Sequence, residues 1–292
     1  MEDYEELIKG LPKIIQDPRT GTRYNRGELL GRCGFGKCYL FTDLETWKKY
    51  AGKGTIKRTL NWKLSMVYIL RNKYSISLKH PNILRMLRYF YCSTYLCMTL
   101  ELCDNTLQSV LDRLKVLDEP SCRFFIREVA CGISYLHGKQ LIHRDINPDN
   151  IFLTKDIDVK IGDFGIAIKH ENSAEKIMEV CETITFLAPE SIDGSGYSFG
   201  VDVWALGVTL YVLVVGNIPF YDMFDPGIYE KIKSCDYYIP RTVPTYTGDM
   251  IKSLFTRDPD CRPTINDILK RGYLSSESIS KYHLSGYISG KS

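Results

Sequence analysis

The spacing of apolar and polar residues changes once along the chain, close to residue 104. Before that point, short apolar runs alternate with glycine-rich breaks over residues 28–66, and strand-like composition returns over residues 84–102. Both stretches are typical of β-strands joined by tight turns. Between them, residues 64–78 carry apolar side chains at helical spacing and end at a KHPN stop signal. The pattern predicts a small, sheet-rich half with one main helix.

Beyond Asp104 the apolar residues recur at helical spacing, which predicts a larger and mostly helical half. Residues 203–221 are all uncharged, which raises the question of a membrane span. A glycine and Pro219 interrupt this stretch and Asp202 directly precedes it, so we interpret it as a buried core helix. The two halves predict an α+β fold of two lobes that meet near residues 101–105. The clearest helical patterns cover residues 107–117, 121–137 and 203–215.

Composition is that of an ordinary globular protein. With 44% hydrophobic and 25% charged residues, the 292-residue chain does not belong to the disordered, collagen-like or disulfide-dense classes. Its ten cysteines include no C-x-x-C pair, which favours free thiols in a reducing compartment. The acidic start MEDYEE lacks the features of a secretory signal. We therefore expect a cytoplasmic or nuclear location and no membrane association.

Charge is distributed unevenly, although the net charge is only +3. Residues 46–100 contain 11 lysines and arginines and no acidic residue. Such a field could attract phosphate-bearing or acidic partners. The alternative is a solvated basic face without a partner. The sequence leaves both interpretations open, and we expect no nucleic-acid partner.

A glycine-rich segment in the first half has the composition of a phosphate-binding loop. The run LGRCGFGKC over residues 30–38 lies between two strand-like runs, and its small residues would let backbone amides approach phosphate oxygens. Lys53 follows 17 residues after Gly36, at a strand position from which an ammonium group could reach phosphates. By itself this segment is equally typical of a tight hairpin turn.

Three short motifs in the second half carry stronger information. The sequence HRDINPDN over residues 143–150 places the carboxylate of Asp145 five residues before the amide of Asn150, and Asp163-Phe164-Gly165 follows 13 residues later. One such oxygen donor can orient a substrate hydroxyl, and two can hold Mg²⁺ on nucleotide phosphates. Ala188-Pro189-Glu190 follows in the required order.

With these motifs the sequence resembles the eukaryotic protein kinase domain, and within it the Polo-type serine/threonine kinases. The Polo resemblance also rests on QDPR at 16–19, AGK at 51–53 and VDVW at 201–204. It implies a bilobal fold, ATP and Mg²⁺ as cofactors, and a protein substrate. We find no polo-box docking region, which usually follows such a catalytic domain, in this sequence, so we infer no docking through it. The oligomeric state stays open. The implied parts are an N-terminal extension (1–23), an N-lobe (24–102), a C-lobe (103–274) and a C-terminal tail (275–292).

The resemblance also implies a role for individual residues. Asp145 would accept or orient the hydroxyl proton, Lys53 would hold the phosphates, and Asn150 and Asp163 would bind the metal. Glu190 and Arg262 would form a buried pair, Asp202 would fasten the catalytic loop, and Leu100 would be the gatekeeper. The expected nucleotide-binding residues are Leu30, Gly31, Gly34, Gly36, Cys38, Ala51, Lys53, Glu101, Cys103, Phe152 and Asp163.

Three positions depart from the family pattern. Arg71 stands where active kinases have the glutamate that pairs with the strand lysine. Asn147 replaces a lysine that stabilises the transferred phosphoryl group, and an amide would offer it a weaker, neutral hydrogen bond. Cys33 replaces the second glycine of the loop. The leading interpretation is an active Polo-like kinase, and the alternative is a pseudokinase that binds nucleotide or scaffolds partners.

A fourth departure concerns regulation. Glu179 occupies the position, two before Cys181, at which Polo-type kinases usually carry the phosphorylated threonine. A carboxylate there could pair permanently with Arg144 and order the loop without an upstream kinase. The alternative is a solvent-exposed glutamate on a mobile loop. Thr183 is expected to contact Asp145.

Overall fold

The computed structural model describes residues 11–33, 36–56, 71, 74–92, 95–171, 176–178 and 184–275. The chain divides into two compact units. The small unit runs to Lys79 and resumes over Leu84–Cys103, and the large unit contains His80–Ile83 and everything from Asp104 onward. The assignment of His80–Ile83 to the large unit is a feature that the sequence pattern did not predict.

The small unit is built on one antiparallel sheet of six strands in the order β1-β2-β3-β4-β6-β5. The predicted sheet-rich half is therefore confirmed. Of the helix predicted over 64–78, residues 71 and 74–77 are helical, and residues 64–70, 72 and 73 lie outside the described residues. The strands are β1 (Ile14–Gln16), β2 (Arg23–Cys33), β3 (Gly36–Asp43), β4 (Lys49–Ile56), β5 (Met86–Tyr91) and β6 (Tyr95–Leu100).

Strand β4 is packed tightly on one face because two glycines flank Lys53. Successive residues of a strand point to opposite faces, so Gly52 and Gly54 share the face opposite Lys53. A methyl group at Gly52 would overlap the Phe41 ring, and one at Gly54 would overlap the Leu11 side chain. Leu11 of the N-terminal extension therefore packs against the face of β4 opposite Lys53, where it is buried in one apolar cluster with Phe41.

The large unit is mainly helical, as predicted. Its longest helices are α2 and α4, and short strands pair as β10-β9-β7 and as β11-β8. The helices are α1 (Leu107–Leu114), α2 (Glu119–Gly138), α3 (Pro189–Ile192), α4 (Gly200–Val215), α5 (Asp225–Ser234), α6 (Thr245–Leu254), α7 (Ile265–Leu269) and α8 (Gly272–Ser275). The strands are β7 (Asn105–Thr106), β8 (Leu141–Ile142), β9 (Ile151–Leu153), β10 (Val159–Ile161) and β11 (Ile168–Lys169).

Two helix boundaries differ from the prediction. Helix α2 begins at Glu119, two residues early, because the Asp118 side chain accepts a hydrogen bond from the Ser121 amide and caps the first turn. Helix α1 ends at Leu114 rather than at residue 117. Lys115 adopts a positive φ of 66°, and the amide of Leu117 donates to Leu213 O at 2.8 Å instead of continuing the helix.

Helix α4 is the buried core helix that the uncharged stretch predicted. It ends at Val215 and is capped by Gly216, whose φ of 83° is readily adopted by glycine. The Trp204 ring stacks on Phe220 with centroids 5.6 Å apart and also packs against Phe255. Among the helices of the described residues, none has both the length and the apolar character that crossing a membrane requires.

Candidate active site

A buried carboxylate fixes the loop that follows β8. Asp202, in the first turn of α4, is fully buried and accepts backbone hydrogen bonds from His143 at 2.9 Å and Arg144 at 2.8 Å. The His137 ring contacts the same carboxylate at 2.9 Å. The predicted role of Asp202 in fastening this loop is confirmed. Burial acts to raise the pKa of Asp202, but its interactions with His137 and His143 together outweigh burial, so that the pKa lies below its ordinary value.

His143 links the loop to the segment around Asp163. Its Nδ1 accepts the amide of Asp145 at 3.2 Å, which leaves the ring proton on Nε2, and Nε2 donates to Gly162 O at 2.9 Å. The Phe164 ring packs edge-on against His143 with centroids 5.0 Å apart and is buried. The sequence analysis missed this role, although the histidine at the head of HRD was a signal for it.

Asp145 is held by two side-chain amides. Asn150 Nδ2 donates to Asp145 Oδ2 at 2.7 Å and to its backbone oxygen at 3.0 Å. Asn147 Nδ2 donates to Asp145 Oδ1 at 2.8 Å. Burial raises the pKa of Asp145 and the nearby Asp163 carboxylate adds to this, while His143 and the two amides act to lower it. The balance leaves the pKa above its ordinary value, which strengthens Asp145 as a proton acceptor.

Asn147 contacts groups of its own loop through both atoms of its side-chain amide. Its amide nitrogen contacts Asp145, and its Oδ1 accepts the amides of Asp149 at 3.0 Å and Asn150 at 3.2 Å. This oxygen caps the 3-10 turn Pro148–Asn150. Asparagine prefers such a capping position because its short side chain reaches the backbone amides that follow it. These contacts engage Asn147 within its own loop, and the hydrogen bond expected from Asn147 to a phosphoryl group stays a prediction.

Asn150 and Asp163 carry the oxygen types that magnesium prefers, and they lie on adjoining segments. The amide of Gly162, next to Asp163, donates to Asn150 O at 2.9 Å, which places the two residues on adjoining segments. Since Asn150 Nδ2 is directed at Asp145, its amide oxygen is the atom left for a cation. Asp163 has a positive φ of 57°, and its Oδ1 accepts the Gly165 amide at 3.2 Å. Magnesium typically takes one or two protein oxygens and completes its shell with water and phosphate.

Arg144 is buried and engaged within the large unit. Its Nε donates to Ile166 O and its Nη1 donates to the Tyr197 hydroxyl, both at 2.6 Å. Arg144 also has a positive φ of 68°. Glu179, Cys181 and Thr183, which the sequence analysis linked to this region, lie outside the described residues.

The predicted pair of Glu190 and Arg262 is confirmed. Arg262 Nη1 and Nη2 donate to the two oxygens of Glu190 at 2.7 and 3.0 Å, and both side chains are buried. The guanidinium also lies over the Trp204 ring, 5.1 Å from its centroid, and Nη1 donates to Gly200 O. The pair ties α3 to the start of α4 and to the segment before α7.

The small unit places several candidate nucleotide-binding residues in register. Lys53 on β4 pairs with Cys38 on β3 and with Met98 on β6, and Ala51 pairs with Leu100. The Lys53 side chain is buried, with 6% exposed. Lysine on a strand is usually exposed, so this burial sets Lys53 apart from an ordinary surface lysine.

The remaining candidates are spread over both units. Gly31 pairs with Cys38 beyond an irregularity in the β2–β3 ladder, and Leu30, which lies beside Gly31, is exposed.

The segment after β6 contacts the segment before β5, because Glu101 Oε1 accepts the Arg85 amide at 2.7 Å. Cys103 is the last residue of the small unit, and Phe152 lies on β9 of the large unit.

In the glycine-rich segment, Cys33 is the last residue of β2 and Gly36 is the first residue of β3, while Gly34 lies outside the described residues. Arg71 is helical and half-buried.

Comparison with known proteins defines the class. Residues 24–274 match the protein kinase domain, and the chain belongs to that family. The Polo-type resemblance is confirmed by its relatives. The chain is 36% identical over 275 residues to serine/threonine-protein kinase PLK1 of Xenopus laevis, covering 92% of this chain and 45% of that one.

Two further relatives give the same picture. Identity to serine/threonine-protein kinase polo of Drosophila melanogaster is 33% over 281 residues, covering 95% of this chain and 49% of that one. Identity to cell cycle serine/threonine-protein kinase CDC5/MSD2 of Saccharomyces cerevisiae is 35% over 274 residues, covering 92% of this chain and 38% of that one. The chain spans less than half the length of these curated relatives.

Proposed function

We propose that the protein is an ATP-dependent, Polo-like serine/threonine kinase that transfers the γ-phosphoryl group to a hydroxyl of a protein substrate. The observation that carries this proposal is the state of Asp145: a half-buried carboxylate, held by two amides, on a loop anchored to buried Asp202. Asp202 is fully buried, whereas Asp145 is partly exposed, so a substrate hydroxyl could reach its oriented carboxylate.

In the proposed reaction, Asp145 orients the substrate hydroxyl and accepts its proton as the oxygen attacks the γ-phosphorus and the bond to the β-phosphate oxygen breaks. Its raised pKa suits this task. Asn150 and Asp163 would hold magnesium, which when bound neutralises charge on the phosphates. Asp202 and His143 keep the loop in place throughout.

For the nucleotide, we carry over the roles that family membership implies. Lys53 holds the phosphates, and Cys38, Ala51 and Phe152 contact the adenine. Support comes from the burial of Lys53 and from its register with Cys38. The glycine-rich segment contributes through Leu30, Gly31, Gly34 and Gly36, and the hinge through Glu101 and Cys103. These assignments, the domain boundaries at 23, 102 and 274, and a cytoplasmic or nuclear location remain proposals.

The alternative proposal is a pseudokinase that binds nucleotide or scaffolds partners without transfer. The observation that favours it is the engagement of Asn147 within its own loop, which leaves the position of the usual lysine without a cation. Arg71, at the position of the usual glutamate, favours it as well.

The deciding experiment measures phosphoryl transfer from ATP to a generic protein substrate by mass spectrometry, alongside a thermal shift with ATP and Mg²⁺. The wild-type chain should transfer phosphate, and Asp163→Ala should abolish transfer, which excludes a contaminating kinase. Asp249→Ala, a change to an exposed carboxylate on α6, is the matched control and should retain activity. Stabilisation by nucleotide without transfer would favour the nucleotide-binding pseudokinase. If neither stabilisation nor transfer is observed, the kinase proposal is contradicted and only a scaffolding pseudokinase that binds no nucleotide is left.

A further inference from the structure

We infer that Asn147 is a positioning residue for Asp145, and that it shares with Asn150 the task of fixing both oxygens of the carboxylate. The inference rests on the proposed function, because it concerns the reaction in which Asp145 takes part. It assigns Asn147 to the proton acceptor rather than to the transferred phosphoryl group.

The orientation of the Asn147 amide follows from its neighbours. Its Oδ1 faces two backbone N–H groups, those of Asp149 at 3.0 Å and Asn150 at 3.2 Å, which can only donate. Its Nδ2 faces two acceptors on Asp145, the carboxylate Oδ1 at 2.8 Å and the backbone oxygen at 3.3 Å. Rotating the amide by half a turn would set donors against donors, so only one orientation satisfies all four contacts.

Asn150 repeats the arrangement on the other side of the carboxylate. Its Nδ2 donates to Asp145 Oδ2 at 2.7 Å and to the Asp145 backbone oxygen at 3.0 Å. A carboxylate with one donor can still rotate about its terminal bond. With one amide on each oxygen, the plane of the Asp145 carboxylate is fixed, and so are the lone pairs that would face a substrate hydroxyl.

The same contacts show that Asn147 makes hydrogen bonds that a lysine at this position could not make. An ammonium group can only donate, so a lysine could not accept the amides of Asp149 and Asn150. Asparagine supplies an acceptor for the backbone and a donor for Asp145 in one short side chain. Asn147 therefore combines two tasks, a cap for the turn Pro148–Asn150 and a clamp on Asp145.

Two substitutions separate the cap from the clamp. Serine is a good capping residue, so Asn147→Ser keeps an oxygen near the two backbone amides, but it lacks the nitrogen that reaches Asp145. Asn147→Ala removes both. If Asn147 acts only as a cap, then serine preserves kcat and alanine lowers it. If Asn147 is a clamp, then both variants lose kcat alike, while only alanine lowers the melting temperature.

The experiment measures kcat, the KM for ATP and the melting temperature of the full chain. For Asn147→Ser we expect a loss of kcat of about 10²-fold, because a displaced catalytic group is costly, with an unchanged KM. Asn147→Ala should lose kcat equally and melt about 2–4 °C lower. Thr264→Ala, which removes the cap of α7, is the control and should lower only the melting temperature. Wild-type kcat in Asn147→Ser would overturn the inference.

A second readout keeps the inference separate from the proposed function. In ¹⁵N-asparagine-labelled wild-type protein, the side-chain NH₂ signal of Asn147 is identified by its absence in Asn147→Ser. We expect it to shift and to exchange faster with solvent in Asp145→Ala, because the acceptor is gone. If the wild type transfers no phosphate, the proposed function fails, but this shift still supports the clamp. An Asn147 signal that is unaffected by Asp145→Ala would overturn the clamp whatever the activity.

Discussion

The loop at residues 143–150 of the large unit and strand β4 of the small unit hold their candidate functional side chains by different means. Asp145 is fixed by directed hydrogen bonds from Asn147 and Asn150, on a backbone that Asp202 anchors. Lys53 lies on a strand whose register is set by β3 and β6 and whose opposite face is filled by Leu11. The comparison shows that polar satisfaction positions the carboxylate, whereas strand pairing and apolar packing position the strand that carries the amine.

The largest effect should come from the anchor of the loop. Asp202→Asn keeps the shape of the side chain but replaces one accepting oxygen by a donor that faces the backbone amide of His143 or of Arg144, and it removes the charge next to His137. Leaving buried donors unsatisfied should lower the free energy of unfolding by about 3 kcal/mol. The displaced loop should also lower kcat by about 10²-fold. Urea unfolding and steady-state kinetics test both. An unchanged kcat would mean that the loop does not depend on this anchor.

The same residue predicts a dependence on pH. Since the pKa of folded Asp202 lies below its ordinary value of about 3.9, its contribution is complete above that value. The contribution is lost as the pH falls from there through the folded-state pKa. Urea midpoints of the wild type should therefore fall more steeply on acidification than those of Asp202→Asn. Parallel curves would contradict the assignment.

An intermediate effect is expected behind Lys53. Gly54→Val would force Leu11 off β4, and overpacking of this kind costs about 1–3 kcal/mol. Because β4 carries Lys53, the KM for ATP should rise several-fold. Gly138→Ala is the control, since a methyl group there has no neighbour within 4 Å. A rise in KM without loss of stability would show that the packing of the N-terminal extension is not the cause.

The smallest effect should come from an exposed ion pair. Lys252 Nζ lies 3.1 Å from Asp249 Oδ1, and the two side chains are 64% and 60% exposed. Solvent screens such a pair, so Lys252→Ala should change the free energy of unfolding by less than about 0.5 kcal/mol. Urea unfolding measures this change. A larger loss of stability would show that the pair stabilises the protein strongly in spite of its exposure to solvent.

Sequence reasoning captured the parts of the fold that depend on apolar spacing and on motif order. The burial of α4 follows from its run of uncharged residues, whereas the pairing of Glu190 with Arg262 and the role of Asp202 follow from the family resemblance that the motifs carry. It failed where the structure depends on one particular hydrogen bond, whether the partner is near or distant in the sequence. The end of α1 depends on a hydrogen bond from Leu117 to Leu213, almost a hundred residues away. The task of Asn147 depends on its bond to Asp145, which spacing alone does not reveal.

The most direct test of the account is the rate of phosphoryl transfer measured in a single turnover with Asp145→Asn beside the wild type. The variant retains the size of the side chain but removes the proton acceptor. The account predicts transfer by the wild type and a loss of about 10²–10⁴-fold in the variant, with ATP binding retained. Equal rates in the two proteins would contradict it.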